Sequence, residues 1–393
     1  MVSNTALKLP ESVADLLMLL TVPDTTAKRL TLSDWDLVVR QARSAGLLGR
    51  LNAILSKRAL IGSIPVAVAK HLRWGGIVTK RHAELVRFEV DEIGHVLKSI
   101  SGPIVLLKGA AYSYCEIDSI DGRLFSDIDI LLKREDIGKA EKLLEMNGWL
   151  ATHLSDYDQS YYRTWMHEIP PLKHGLRQTE LDVHHAILPL SARVKTDSNL
   201  LFQRIVPVNP EQTVFRLSDE DMLLHSMSHL FFDGEFKRGF RDLDDIRSLL
   251  LDFTESDKSW SDLVSRAVEL GLSHPCFYAL IFSRDWFGVE VPESVLCQLK
   301  KAAKLRGLRD RWMRYLFSEA LLPLHPTTTG TLNTIARYFL YIRSHFLRMP
   351  INLLIPHLLY KAFLPLLESF QRKKKLSGDA GILQILEEQA NTR

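Results

Sequence analysis

Apolar residues recur every three or four positions through most of the first hundred residues, the spacing that lines one face of a helix. In LSDWDLVVRQARSAGLLGRLNAIL, Ser33 offers an N-cap and the period follows it. AELVRFEVDEIGHVLKSI continues the pattern until Ser101-Gly102-Pro103, which stops a helix. The period then shortens. PIVLL is a β-branched run, Lys108-Gly109 follows it, and AAYSYCEI is compatible with a helix. Beyond a loop from Asp118 to Gly122, LFSDIDILL alternates, REDIGKAEKLLEMNG reads as a helix stopped by Gly148, and TELDVHHAIL alternates again. From Ser218, a second N-cap candidate with Asp221 three residues on, helical spacing returns and continues with interruptions.

This order predicts an α+β (mixed) fold, with a small sheet and its helices between helical regions. The expected parts are a helical N-terminal region over 1–100, an α/β core over 101–215, a helical region over 216–330 that closes a cleft, and a basic, apolar helical tail over 331–393.

Composition alters this picture little. The 393 residues are 46% hydrophobic and 25% charged, ordinary for a globular chain with more than one core. A formal charge of +3 does not by itself imply a nucleic-acid partner, but the charge is uneven. Residues 331–375 hold eight Lys and Arg against Glu368 alone, and the remainder is mildly acidic. Cys115, Cys276 and Cys297 are odd in number and widely separated, so a reducing compartment is expected. The N-terminal stretch does not read as a secretory signal, and the twelve uncharged residues between Arg348 and Lys361 are broken by Pro350 and Pro356. A cytoplasmic protein, or one peripheral at the inner membrane surface, is the expectation.

Two like charges inside an apolar strand need explaining. Alternation puts Asp127 and Asp129 on one strand face and Ile128 and Ile130 on the other. Glu180-Leu181-Asp182-Val183-His184 repeats the arrangement, with Glu180, Asp182 and His184 facing together. If the strands are neighbours, Asp127, Asp129 and Asp182 converge, and a buried carboxylate without a partner is costly. Divalent cations relieve that repulsion; two Mg²⁺ ions about 3.5–4 Å apart form a clamp for phosphoryl chemistry. Upstream, the Lys108-Gly109 turn opens a helix whose backbone N–H groups can face an anion, Lys108 adds a point charge, and Arg123 adds a second.

The combination LLKG, Arg123, SDIDILL and LDVHH, within about residues 30–260, resembles the polymerase-beta-like nucleotidyltransferase superfamily. It looks closest to the bacterial uncharacterised nucleotidyltransferase group. The resemblance implies transfer of a nucleoside monophosphate from an NTP to an acceptor with release of pyrophosphate, supported by Mg²⁺ or Mn²⁺. It makes Asp127 and Asp129 the paired metal ligands, and Asp182 the third ligand, placed to help deprotonate an acceptor hydroxyl. Lys108 and Gly109 would hold the phosphates. The acceptor, a small molecule, RNA or protein, is not specified. Ala110 stands where the superfamily usually has Ser or Gly, and the gap from Gly109 to Asp127 is long.

Other features carry bland readings beside the chemical ones. His184 either orients a carboxylate or touches a phosphate, or is structural. His225 and His229 share a helix face; Ser226 after the first breaks the metalloprotease pattern, so a polar face lining the cleft is expected rather than zinc. Asp242 and Asp244 are expected on a salt-bridged solvent face, while Asp245 is open between that role and support of the site. The tail over 331–375 reads either as the last helices of a core or as a segment lying weakly in an anionic membrane interface. A catalytically silent nucleotide-binding module, or a membrane-surface assembly module, is the alternative to an enzyme.

Overall fold

Among the described residues of the computed structural model (11–152, 156–232, 234–255, 259–356 and 358), seven strands form one mixed sheet surrounded by helices. In chain order the strands are β1 (Ile104–Leu106), β2 (Asp127–Leu131), β3 (Trp149–Ala151), β4 (Leu172–His174), β5 (Glu180–His184), β6 (Val206–Pro207) and β7 (Val214–Arg216). Across the sheet they run β3-β4-β5-β2-β1-β7-β6. The chain is an α+β fold with helical flanks.

The two alternating segments lie side by side. β2 and β5 pair in parallel, so Asp127 sits opposite Glu180, Asp129 opposite Asp182 and Leu131 opposite His184. A one-residue slip would turn the acids of one strand into the opposite face. The core prevents it, because Ile128, Ile130, Leu181 and Val183 are all buried on the other face. Burying each of these side chains contributes roughly 1.5–3 kcal/mol.

β1 runs antiparallel to β2 and feeds directly into the seven-residue helix Lys108–Tyr114. Lys108 makes the turn with φ +42°, a conformation that L residues seldom adopt. The turn is held because Leu107 N–H donates to the Asp129 carbonyl, extending the strand pairing to the last residue before Lys108.

The N-terminal helical region centres on the helix Val66–Val96, which packs against Leu48–Lys57. Its neighbour Leu32–Ala45 is capped by Thr31, whose hydroxyl accepts from Asp34 N–H while Asp34 accepts from Thr31 N–H. Ser33 is therefore inside the helix rather than its cap: Asp34 completes the reciprocal pair with Thr31, while Asp36, three positions after Ser33, instead accepts from Arg40 Nε at 3.0 Å. Beyond the sheet, the helices Asp219–Phe232, Gly239–Glu255 and Ser273–Phe287 pack together around Phe231, Tyr278, Phe282 and Phe317.

Two expectations about surface charge fail. Asp244 has no exposed surface; its carboxylate lies between Arg50 Nε at 3.2 Å and Arg247 Nε at 3.1 Å. Asp242 is half-buried against Arg241 at 2.6 Å. The helix Gly239–Glu255 is sandwiched rather than peripheral, so its acids answer cations from other parts of the chain.

The basic tail also differs from its composition. Arg337 donates to the carbonyls of Leu322 and Phe236, and Arg343 to that of Phe231. Both are structural ties of the helix Thr331–Arg348. Lys361 and the run from Arg372 to Lys375 lie outside the described residues. Among the described residues, no helix is long and apolar enough to cross a membrane.

Candidate active site

The register of β2 on β5 brings one carboxylate oxygen of Asp127, Asp129 and Asp182 within 4.8 Å of one another. The three acids are not equivalent. Asp129 Oδ1 accepts from Lys108 Nζ at 2.8 Å and contacts His184 Nε2 at 3.0 Å. Burial alone would favour its neutral form, but these two partners hold its carboxyl far below the usual range. Burial likewise opposes the Lys108 ammonium, yet Asp129, with Asp127 and Glu168 beyond, keeps its pKa above the ordinary value. Asp127 accepts from the Ser126 hydroxyl at 2.7 Å.

Asp182 has no hydrogen-bond or ion-pair partner among the described residues. Burial, followed by the charges of Asp129, Glu168 and Asp127, pushes its carboxyl up to about 9. A protein without a cation thus keeps a proton on one of three crowded acids. The donor set is all oxygen, drawn from rigid neighbouring strands and open to a cavity, and it fits a hard divalent cation such as Mg²⁺ or Mn²⁺.

The cavity measures about 290 Å³ and is lined by Lys108, Asp127, Asp182 and His184 from the sheet side. Ser228, His229 and Phe232 line it from the helix Asp219–Phe232, and Leu347 and Arg348 from the end of Thr331–Arg348. His229 is therefore on the cavity wall, as helix periodicity suggested. His225 is buried behind it, held neutral by burial and by the nearby Lys108 and His229.

The remaining residues singled out in the sequence lie elsewhere. Gly109 and Arg123 line a different cavity of about 470 Å³, together with Lys57, Lys80 and Arg87. Arg123 Nε donates to Asp245 Oδ2 at 2.5 Å and its guanidinium stands 3.7 Å from Asp242. Asp245 thus fixes Arg123, while Arg241 donates to the Leu124 carbonyl at 2.8 Å; together they pin the segment that leads into β2. Gly109 is required by packing, because a Cβ there would come within 2.6 Å of the Phe125 ring and collide with the Arg123 guanidinium.

Tyr162, His167 and Glu168 are among the wall residues that escaped sequence reading. His167 and Glu168 precede Pro170-Pro171 in a segment with no strand period. Backbone bonds attach it to the end of β5: Ile169 N–H to the Val183 carbonyl at 3.0 Å and His185 N–H to that of His167 at 2.8 Å. Glu168 is thereby bridged to His184. The only local signal was an adjacent His-Glu pair, too common to act on. Burial, reinforced by Glu168 and Asp182, pushes the Tyr162 hydroxyl up to about 12.

The sequence model of a family described as "Uncharacterised nucleotidyltransferase" matches residues 31–288, well over half of the chain. No curated protein and no solved structure matches.

Proposed function

Because the chain belongs to the uncharacterised nucleotidyltransferase family, we propose that it is a divalent-cation-dependent enzyme that moves a nucleoside monophosphate from an NTP to an acceptor hydroxyl. The observation that carries this reading is the in-register pairing of Asp129 with Asp182, with Asp127 beside them on the same sheet face.

Asp127, Asp129 and Asp182 would hold Mg²⁺ or Mn²⁺. When bound, the ion neutralises triphosphate charge and orients the reacting groups in line. Lys108 is the residue placed to exchange its Asp129 partner for a phosphate oxygen, since its ammonium already lines the cavity. The acceptor oxygen attacks the α-phosphorus, the bond from that phosphorus to the bridging oxygen breaks, and pyrophosphate leaves with the bonding electrons. Asp182, one of the acids on the cavity wall, would take the hydroxyl proton in its ionised form. Arg348 and His229 face the same space from the helical side and suit the triphosphate or acceptor. Catalysis in this scheme comes from positioning and charge stabilisation.

The test is incubation with each α-labelled NTP and Mg²⁺, following label transfer to small molecules, RNA or protein, the chain itself included. Transfer that disappears in Asp127→Ala supports the enzyme. NTP binding without transfer under any of these conditions, in both chains alike, supports a catalytically silent nucleotide-binding module instead.

A second reading rests on the surface between the helices Gly307–Ala320 and Thr331–Arg348. Leu308, Trp312, Leu332, Ile335 and Phe339 line an exposed apolar groove there. Arg306, Arg309 and Arg311 are exposed beside it. Aromatic and apolar groups flanked by arginines suit an anionic lipid interface. Co-flotation with phosphatidylserine vesicles, lost in Trp312→Glu, supports it; indifference to anionic lipid removes it.

A further inference from the structure

A second constellation adjoins the carboxylate trio. One donor atom each of His167, Glu168 and His184 lies within 4.8 Å of the others, and all three side chains line the same cavity. His184 is 3% exposed at its side chain. Its Nε2 is committed to Asp129 Oδ1 at 3.0 Å. Its Nδ1 is buried without a hydrogen bond and stands 3.5 Å from Glu168 Oε2. His167 Nε2 is 3.9 Å from the same oxygen, and His167 Nδ1 is another buried ring nitrogen without a hydrogen bond.

That separation is informative. Two ligands each about 2.1 Å from a tetrahedral ion stand about 3.4 Å apart. The distance between Nδ1 of His184 and Oε2 of Glu168 fits that spacing and is too long for a good hydrogen bond. His184 also has the outer support that metal-bound histidines usually show, one ring nitrogen held by a carboxylate and the other left for the ion. The backbone bonds joining residues 167–169 to β5 hold the three donors in place.

We infer that His167, Glu168 and His184 form a site for a borderline divalent transition ion such as Zn²⁺, distinct from the all-oxygen trio and joined to it through the contact between His184 and Asp129. Two imidazoles and one carboxylate favour such an ion over Mg²⁺. Three protein ligands leave a position open to the cavity. The inference requires nothing of the nucleotidyl-transfer reading, because it concerns different donors and a different class of ion.

Cobalt reports on the site directly. The full chain, stripped of metal with chelator, is titrated with Co²⁺ and its visible absorption is recorded. A strong band of nitrogen-bound, tetrahedral cobalt is expected at one equivalent. It should survive Asp127→Asn and vanish in His167→Gln and Glu168→Gln, a loss beyond the roughly 10–100-fold caused by removing an outer hydrogen bond. No such band, or a band that survives both variants and disappears in Asp127→Asn, overturns the inference. Should the variants fail to fold, crystals of the wild-type chain soaked in Zn²⁺ decide. An anomalous peak at the zinc edge among the three side chains supports the site, and its absence there refutes it.

Discussion

Asp129 and Asp182 occupy matched positions on neighbouring parallel strands, yet only the first has side-chain partners among the described residues. Lys108 and His184 both converge on Asp129 Oδ1, whereas Asp182 is left against three acids with its carboxyl pushed up to about 9. This asymmetry leaves Asp182 opposed first by burial and then by the neighbouring acids, a cost that a cation held under the proposed function would relieve.

Stability without metal should fall as pH rises from about 4 to about 9. Asp182 titrates at about 9 in the fold against 3.8 for an ordinary aspartate. Between those values the folded chain retains a proton that the unfolded chain has released, so the free energy of unfolding declines with pH. Asp182→Asn removes that slope and raises the melting temperature in chelator at pH 7 by roughly 2–4 °C. Mg²⁺ should then protect the wild type and leave the variant unmoved. Melting curves across pH check both statements, and a variant less stable than wild type in chelator counts against the repulsion.

Lys108→Met removes the ammonium while keeping much of the stem. With NTP as substrate, kcat/KM should fall by about 10²–10³, the loss typical of one charge-stabilising donor. Steady-state pyrophosphate release measures it. A change confined to stability, with kinetics intact, would mean that Lys108 serves Asp129 alone.

The acids of the helix Gly239–Glu255 should separate by role. Asp244→Ala leaves Arg50 and Arg247 buried without their shared carboxylate, and should destabilise the fold by roughly 3–5 kcal/mol in urea unfolding. NTP binding by the remaining folded chain should be unaffected, since neither arginine lines the cavity of the carboxylate trio.

Gly109→Ala should destabilise by roughly 1–3 kcal/mol, because the added methyl meets the Phe125 ring and the Arg123 guanidinium. Chemical denaturation reads this directly. If Gly109 instead only lets phosphate approach the backbone, stability stays level while NTP affinity drops.

What the sequence disclosed follows from length and period. β2 and β5 are five residues each, alternating through the first four positions of β2 and throughout β5, so their polar faces could be read and their pairing anticipated. β3, β4, β6 and β7 have two or three residues and no measurable period. They exist because the sheet recruits them. Glu168 and His167 stayed hidden because tertiary bridging to His184, not local pattern, puts them on the cavity wall. Asp244 was misjudged because alternating charges along a helix look alike whether water or two buried arginines answer them.

Manganese binding in the presence of a non-hydrolysable NTP tests the central claim most directly. Electron paramagnetic resonance counts the Mn²⁺ held by wild-type chain, Asp127→Asn and Asp182→Asn. The account predicts nucleotide-dependent Mn²⁺ binding by the wild type and its loss in both variants. Equal binding by all three chains would contradict it.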